Sequence, residues 1–280
     1  MNLISKILIQ NTYKPVITCY NMEQLIKPIV RVGNSAGVIL PKEWLHHEAR
    51  IEIIIKTPDI FEILKQEKVP LEKVKGIYIV GSYARGEETK ESDYDILIIT
   101  QDINSKIQKL NSEIILISEE NLKDSLTKNI LPLLPMLKES KPILNSTLID
   151  SYKKTLPNSK NLKWHLETTI SAIKIIEQTL SIDQEISEKT SNSLAYPIIL
   201  RLREAYIVDC LIKDKKWTTK ELTSLIKKLT GSLEIYNEYK LIKSNKKQKK
   251  LISIKQANSI LKYIKNKISE QEKWLKEKKD

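Results

Sequence analysis

Apolar residues follow two rhythms along this 280-residue chain. Between residues 29 and 118 they come in short blocks separated by polar or glycine-containing turns, whereas beyond residue 161 they recur every three or four positions. A short uninterrupted apolar block reads as a buried strand, and three-to-four spacing is the apolar stripe of a helix. The blocks Ile77–Val80, Ile96–Ile99 and Glu113–Ile117 therefore predict three core strands. A helix is expected near Ile60–Gln66 before them and another over Glu119–Leu126 after them. Leu131–Leu137 is apolar but broken by Pro132 and Pro135, and Pro142–Asn145 is expected to edge the site.

In the second half, Leu162, Leu166, Ile170, Ile173 and Leu180 form one helical stripe, and Leu222, Leu225, Ile226 and Leu229 form another. Thr218 with Glu221 predicts a capping box, with Trp217 and Leu222 as its hydrophobic staple. Ser253 with Gln256 predicts a second box ahead of Ala257, Ile260, Leu261, Ile264 and Ile268. The expected fold class is α+β: a small mixed-sheet domain at 58–155, an N-terminal β segment at 22–57 and an all-helical bundle of about five helices at 160–277. Residues 1–21 lack clear periodicity and read as an upstream extension ahead of Met22.

The chemistry lies between the first two strand blocks. There the chain reads Gly81, Ser82, Tyr83, Ala84, Arg85, Gly86, then five linker residues, then Ser92, Asp93, Tyr94 and Asp95. A strand that ends in Gly-Ser predicts a turn whose backbone N–H groups can hold phosphate oxygens. Asp93 and Asp95 are two apart on a predicted strand, so both carboxylates point to one face and Tyr94 to the other. At ~5 Å and an effective dielectric near 20 they repel by roughly 3 to 4 kcal/mol. A divalent cation offsets that repulsion, and Mg2+ favours a pair of carboxylates together with polyphosphate oxygens. Two acids at a strand end are most often merely solvated; the upstream Gly81, Ser82 and Gly86 turn the balance toward a site.

Gly81-Ser82, Gly86 and Ser92-Asp93-x-Asp95 resemble the signature of the DNA polymerase beta-like nucleotidyltransferases, and look most like their small archaeal and bacterial members. The resemblance implies that Gly81 and Ser82 bind the β and γ phosphates of ATP or another nucleoside triphosphate, with Arg85 and Ser92 as further contacts. It also implies that Asp93 and Asp95 bind two Mg2+ ions. A third carboxylate is expected on the next strand, sharing the second metal and helping to deprotonate the attacking hydroxyl. Glu113 is the candidate, where the family more often carries Asp; Asn111 and Asp102 are alternatives in a shifted register. The implied reaction moves a nucleoside monophosphate, AMP foremost, to a hydroxyl on a small molecule, protein or RNA and releases pyrophosphate. The helical half would receive the acceptor, and His165, Arg201, Arg203 and Tyr206 are candidates to touch base or acceptor there; for His165 the alternative is a surface or hinge position, and for the other three, on a helix rich in Leu and Ile, plain core.

Toward the N-terminus, residues 29–45 and Ile51–Ile55 read as short strands around a Gly33-Asn34 turn, with Pro41 starting a short helix. Gly33-Asn34-Ser35 and Pro41-Lys42 resemble one half of the AbrB/SpoVT swapped-hairpin module. That resemblance implies a homodimer and DNA contact through residues 27–42, using Lys27, Arg31 and Lys42, or else a structural appendage. It sustains a competing reading, an antitoxin-type regulator of a toxin–antitoxin pair that binds its operator or adenylylates its partner. HEPN domains often accompany minimal nucleotidyltransferases, but their Arg-then-His nuclease motif is missing, since no His follows Arg201 or Arg203.

The net charge of +12 invites a nucleic-acid partner, yet Arg occurs only at 31, 50, 85, 201 and 203 and the excess is Lys. The densest cluster, Lys240–Lys250, reads as a solvated loop sooner than an RNA cradle. No apolar run is long enough to span a membrane and no secretory signal is evident, so a cytoplasmic location is expected. Cys19 and Cys210 offer neither zinc spacing nor a disulfide framework.

Overall fold

Residues 25, 27–49, 51, 59–89, 92–109, 112–246 and 251–278 are described by the structure, a computed structural model. The chain divides into two units, residues 1–54 and 55–280. In the first, β1 (Ile29–Val32) and β2 (Ser35–Val38) form an antiparallel hairpin around Gly33-Asn34, and Gly33 supplies the positive φ of +60° that the turn needs. Pro41 precedes a single 3-10 turn at Lys42–Trp44. None of the described residues of this unit is buried, as expected where so short a segment cannot enclose a core. The predicted extension at 1–21 and, apart from Ile51, the predicted strand at 51–55 lie outside the described residues.

In the second unit a helix, α1 (Ile60–Gln66), is capped by Asp59, whose side chain accepts from the Glu62 N–H. Then follow β3 (Val74–Val80), the short helix α2 (Gly81–Arg85), β4 (Tyr94–Thr100), β5 (Ser105–Lys109) and β6 (Ser112–Ser118). The helices α3 (Glu119–Lys128) and α4 (Leu133–Glu139), the strand β7 (Lys141–Leu144) and α5 (Ser146–Lys153) complete the sheet region. The sheet order is β5-β6-β4-β3-β7; β4 and β6 run parallel and the other pairs antiparallel. Side chains alternate between its faces. Ile96, Ile98, Ile114 and Leu116 pack on α1 through Ile60 and Leu64, whereas Tyr78, Val80, Leu97 and Ile99 face the other way. Pro135 is accommodated because it falls in the first turn of α4, where its missing N–H is not needed.

Five helices follow: α6 (Lys163–Gln184), α7 (Ala195–Ile212), α8 (Thr219–Thr230), α9 (Glu234–Lys243) and α10 (Ile254–Glu277). A two-residue ladder joins β8 (Lys189–Thr190) to β9 (Ile252–Ser253). The apolar stripes of these helices and the Tyr78–Leu97 face of the sheet belong to one continuous core.

Three local expectations are corrected. The Thr218 side chain accepts from the Glu221 N–H at 3.1 Å, but the Glu221 carboxylate accepts from the Tyr206 hydroxyl at 2.6 Å instead of closing a box. Ser253 makes no side-chain cap at all, and Gln256 reaches across to the Thr230 carbonyl and the Ser232 hydroxyl, 3.1 Å each. His165, expected at a cleft or hinge, is instead fully buried in the bundle, with Nε2 3.3 Å from the Gln271 Oε1.

Candidate active site

β3 passes into α2 at Gly81, whose φ is +72°. Antiparallel register sets Val80 opposite Asp95, and this brings the Asp95 carboxylate onto the glycine: a Cβ built on Gly81 would lie 2.0 Å from the Asp95 Oδ2. Glycine is required twice here, for the left-handed backbone and for the close approach. The parallel register of β4 and β6 pairs Asp95 with Glu113. Both belong to the alternation that turns Leu97, Ile99, Ile115 and Ile117 toward the helical core.

Asp93 lies one residue ahead of β4 and is exposed. Burial, then the charge of Glu113 and that of Asp93, push the Asp95 carboxyl above the usual carboxylate range, with Lys243 and Arg85 opposing. Lys243, in the last turn of α9, thus brings a cation from the helical half to the acids. Glu113 is ion-paired with Lys106 at 2.9 Å, and among the described residues no three His, Cys, Asp or Glu side chains converge as a metal cage. The acids present suit a hard cation nonetheless. Asp95 is disfavoured as an anion by its burial and by two neighbouring acids, which is the charge imbalance a divalent ion reverses. Of the alternatives to Glu113, Asp102 is ion-paired with Lys73 at 2.8 Å, and Asn111 lies outside the described residues.

The other predicted contacts have different surroundings. The Gly81 N–H, expected to face phosphate, donates to the Glu139 Oε1 at 2.7 Å. What the turn leaves open are the first-turn N–H groups of Ser82 and Tyr83, which have no partner within a helix, and the Ser82 hydroxyl, which makes no hydrogen bond among the described residues. The Ser92 hydroxyl accepts from the Thr89 N–H at 2.9 Å and so closes its own loop. Arg85, expected on phosphate, is spent on protein: Nε donates to Glu87 at 2.8 Å, Nη1 to Glu139 at 2.7 Å, and the guanidinium lies 3.9 Å above the Trp217 ring.

Three residues that the sequence reading did not connect with the turn thus organise it. Glu139 ends α4, and its largely buried carboxylate binds both Gly81 and Arg85; burial pushes its carboxyl up while Arg85 restrains the shift. Glu87 accepts from the Thr219 N–H and Oγ1, 2.8 Å each, and so ties the loop after α2 to the start of α8. Burial raises the Glu87 carboxyl, but the hydrogen bonds from Arg85 and Thr219 outweigh it and hold it low. Trp217 is the floor for Arg85. On the opposite flank Tyr83 of α2 stacks on Tyr94, with ring centres 3.8 Å apart.

Residues 58–279 match the family model described as the nucleotidyltransferase domain. The chain belongs to the nucleotidyltransferase domain family. Two relatives of this chain come from Methanocaldococcus jannaschii, each bearing the name "putative protein adenylyltransferase". One is 54% identical over 43 residues, 14% of this chain and 43% of the relative. The other is 43% identical over 75 residues, 25% of this chain and 76% of the relative. The chain therefore spans less than half the length of the first. Among solved structures, spectinomycin adenyltransferase AAD(9) from Enterococcus faecialis, determined with ATP and spectinomycin, overlaps 75% of this chain and 96% of its own, at 13% identity and a TM-score of 0.36. Among the described residues no helix is long and apolar enough to cross a membrane.

Proposed function

We propose that this nucleotidyltransferase moves AMP from ATP to an acceptor hydroxyl, in the cytoplasm, and that the acceptor is a protein side chain sooner than a small molecule or an RNA end. The observation that carries the reading is the position of Asp95, pressed onto Gly81 by strand register beside Asp93 and Glu113. The names of the two archaeal relatives support adenylyl transfer and a protein acceptor.

In this reading Ser82, through its hydroxyl and first-turn N–H, holds the phosphate tail beside Asp95. Asp93, Asp95 and Glu113 would hold Mg2+, which when bound supplies charge neutralisation at the transferred phosphoryl group. Glu113 accepts the proton of the acceptor hydroxyl as its oxygen bonds to the α-phosphorus and the bond to pyrophosphate breaks. Arg85 and Ser92 serve as scaffold, since two Arg85 donors hold Glu87 and Glu139 and the Ser92 hydroxyl accepts from the Thr89 N–H. Rigid placement is the main contribution a protein makes to such a displacement.

The test is to incubate purified chain with Mg2+ and α-labelled nucleoside triphosphates, alone and with lysate, beside Asp93→Ala and Asp95→Ala. Label should enter an acceptor with wild type and fall by roughly 100-fold or more in each variant. Equal labelling by the variants would sink the assignment. The regulator reading draws on the hairpin, none of whose described residues is fully buried, which suits a dimerising or DNA-contacting appendage. Operator retention that weakens with salt and with Arg31→Ala would support it.

A further inference from the structure

The arginines near the site are not equivalent. Arg85 is consumed by Glu87, Glu139 and the Trp217 ring, and Arg201 of α7 by Glu204 at 2.7 Å and Thr168 at 3.3 Å. Arg203, two residues further along α7, makes no hydrogen bond or ion pair among the described residues. It is nevertheless part-buried, with its guanidinium 5.2 Å from the same Trp217 ring that carries Arg85. A partly desolvated guanidinium with five unused donors is costly unless an anion completes it.

Its place in the fold indicates which anion. Trp217 holds both arginines at the start of α8, and the charge of Arg203 is felt at the carboxylate of Glu139, which accepts from the Gly81 N–H and from Arg85. The cation therefore stands one carboxylate away from the turn at which the phosphate tail is proposed to sit. Arg203 also lies close to Glu204, which is already paired with Arg201, and to the half-buried Tyr236, a donor and weak acid that offers no negative charge.

We infer that Arg203, delivered by the helical half of the chain and steadied by Trp217, is the arginine that binds the triphosphate of the nucleotide, while its neighbour Arg85 is held on Glu87 and Glu139. The inference rests on the proposed nucleotide site and adds a specificity to it: the site distinguishes a triphosphate from a monophosphate through α7, and a nucleotide is bound only when sheet and bundle are assembled. Arg is suited to this because its planar fork engages phosphate oxygens bidentately.

Equilibrium binding of ATP, AMP and adenosine to the full chain tests it, with wild type compared to Arg203→Lys and Arg203→Ala. ATP affinity should fall roughly 10- to 100-fold in Arg203→Ala and by less in Arg203→Lys, while adenosine binds all three alike. In wild type, ATP but not adenosine should protect Arg203 from modification by phenylglyoxal, a readout that does not depend on a variant folding. Wild type that binds ATP with no loss in Arg203→Ala, or Arg203 modified equally with and without ATP, overturns the inference alone. Wild type that binds no nucleoside triphosphate removes the nucleotide site, and this inference with it.

Discussion

At Gly81 a single missing atom makes the site. Adding a methyl group would drive it into the Asp95 Oδ2 at 2.0 Å and force a side chain to accept φ of +72°. Gly81→Ala should therefore destabilise the protein by about 1 to 3 kcal/mol, measured by urea unfolding, and reduce labelled transfer as deeply as loss of Asp95 itself. His165 acts on stability and not on the site. Burial pushes its imidazole down to about 4 from an ordinary 6.5, and the nearby Arg201 lowers it further, while the Gln271 contact resists. Between those values the unfolded chain binds the proton that the folded one refuses, so stability rises with pH. The contribution is complete above pH 6.5 and is lost as the pH falls toward and through 4, roughly 2 kcal/mol of it between pH 7 and 5. Unfolding midpoints at those two pH values should converge in His165→Gln; an unchanged pH slope would contradict the assignment.

At the scale of elements, the start of α8 shows which interactions are readable in sequence. The Thr218 cap lies three residues from the N–H it satisfies, so the short motif reveals it. The partner of the next N–H is Glu87, 132 residues away, and no local pattern announces it. Glu87→Ala frees the Thr219 N–H and hydroxyl and one donor of Arg85, and should cost about 1 to 3 kcal/mol in urea unfolding. A variant as stable as wild type would show the contact to be incidental. The second capping box misleads for the same physical reason, since the Gln256 amide donates to Thr230 and Ser232 at the end of α8 where a box would have it accept from the Ser253 N–H. β5 escapes an apolar-block reading because only Ile107 of its five residues is buried, the rest belonging to a polar sheet edge.

For the molecule as a whole, the decisive feature is that sheet and bundle share a core. Tyr78, Val80, Leu97 and Ile99 are almost completely buried within the same cluster as Leu202, Val208 and Leu261. Exposing side chains of this size costs about 1.5 to 3 kcal/mol each, comparable in sum to the total stability of a domain. A chain truncated after residue 155 should therefore be insoluble or lack a cooperative thermal transition by circular dichroism, whereas residues 55–280 should melt cooperatively. A soluble, cooperatively melting 55–155 fragment would refute the shared-core argument.

The sequence by itself determined the strands and stripes, the turn at Gly81, the acids at 93 and 95 and the family signature, because each depends on neighbours a few residues apart. Glu113 came from the sequence only as what the resemblance implies, with Asn111 and Asp102 as alternatives; the parallel pairing that sets it beside Asp95 belongs to the structure. Tertiary structure alone decided how the charges are shared: that Glu139 takes the Gly81 N–H, that Arg85 is bound to protein and that Arg203 is left over. Electrostatic partners are chosen by distance in space, and the residues that settle this site come from α2, α4, α7 and α8, whose meeting is written only in the packing of the shared core.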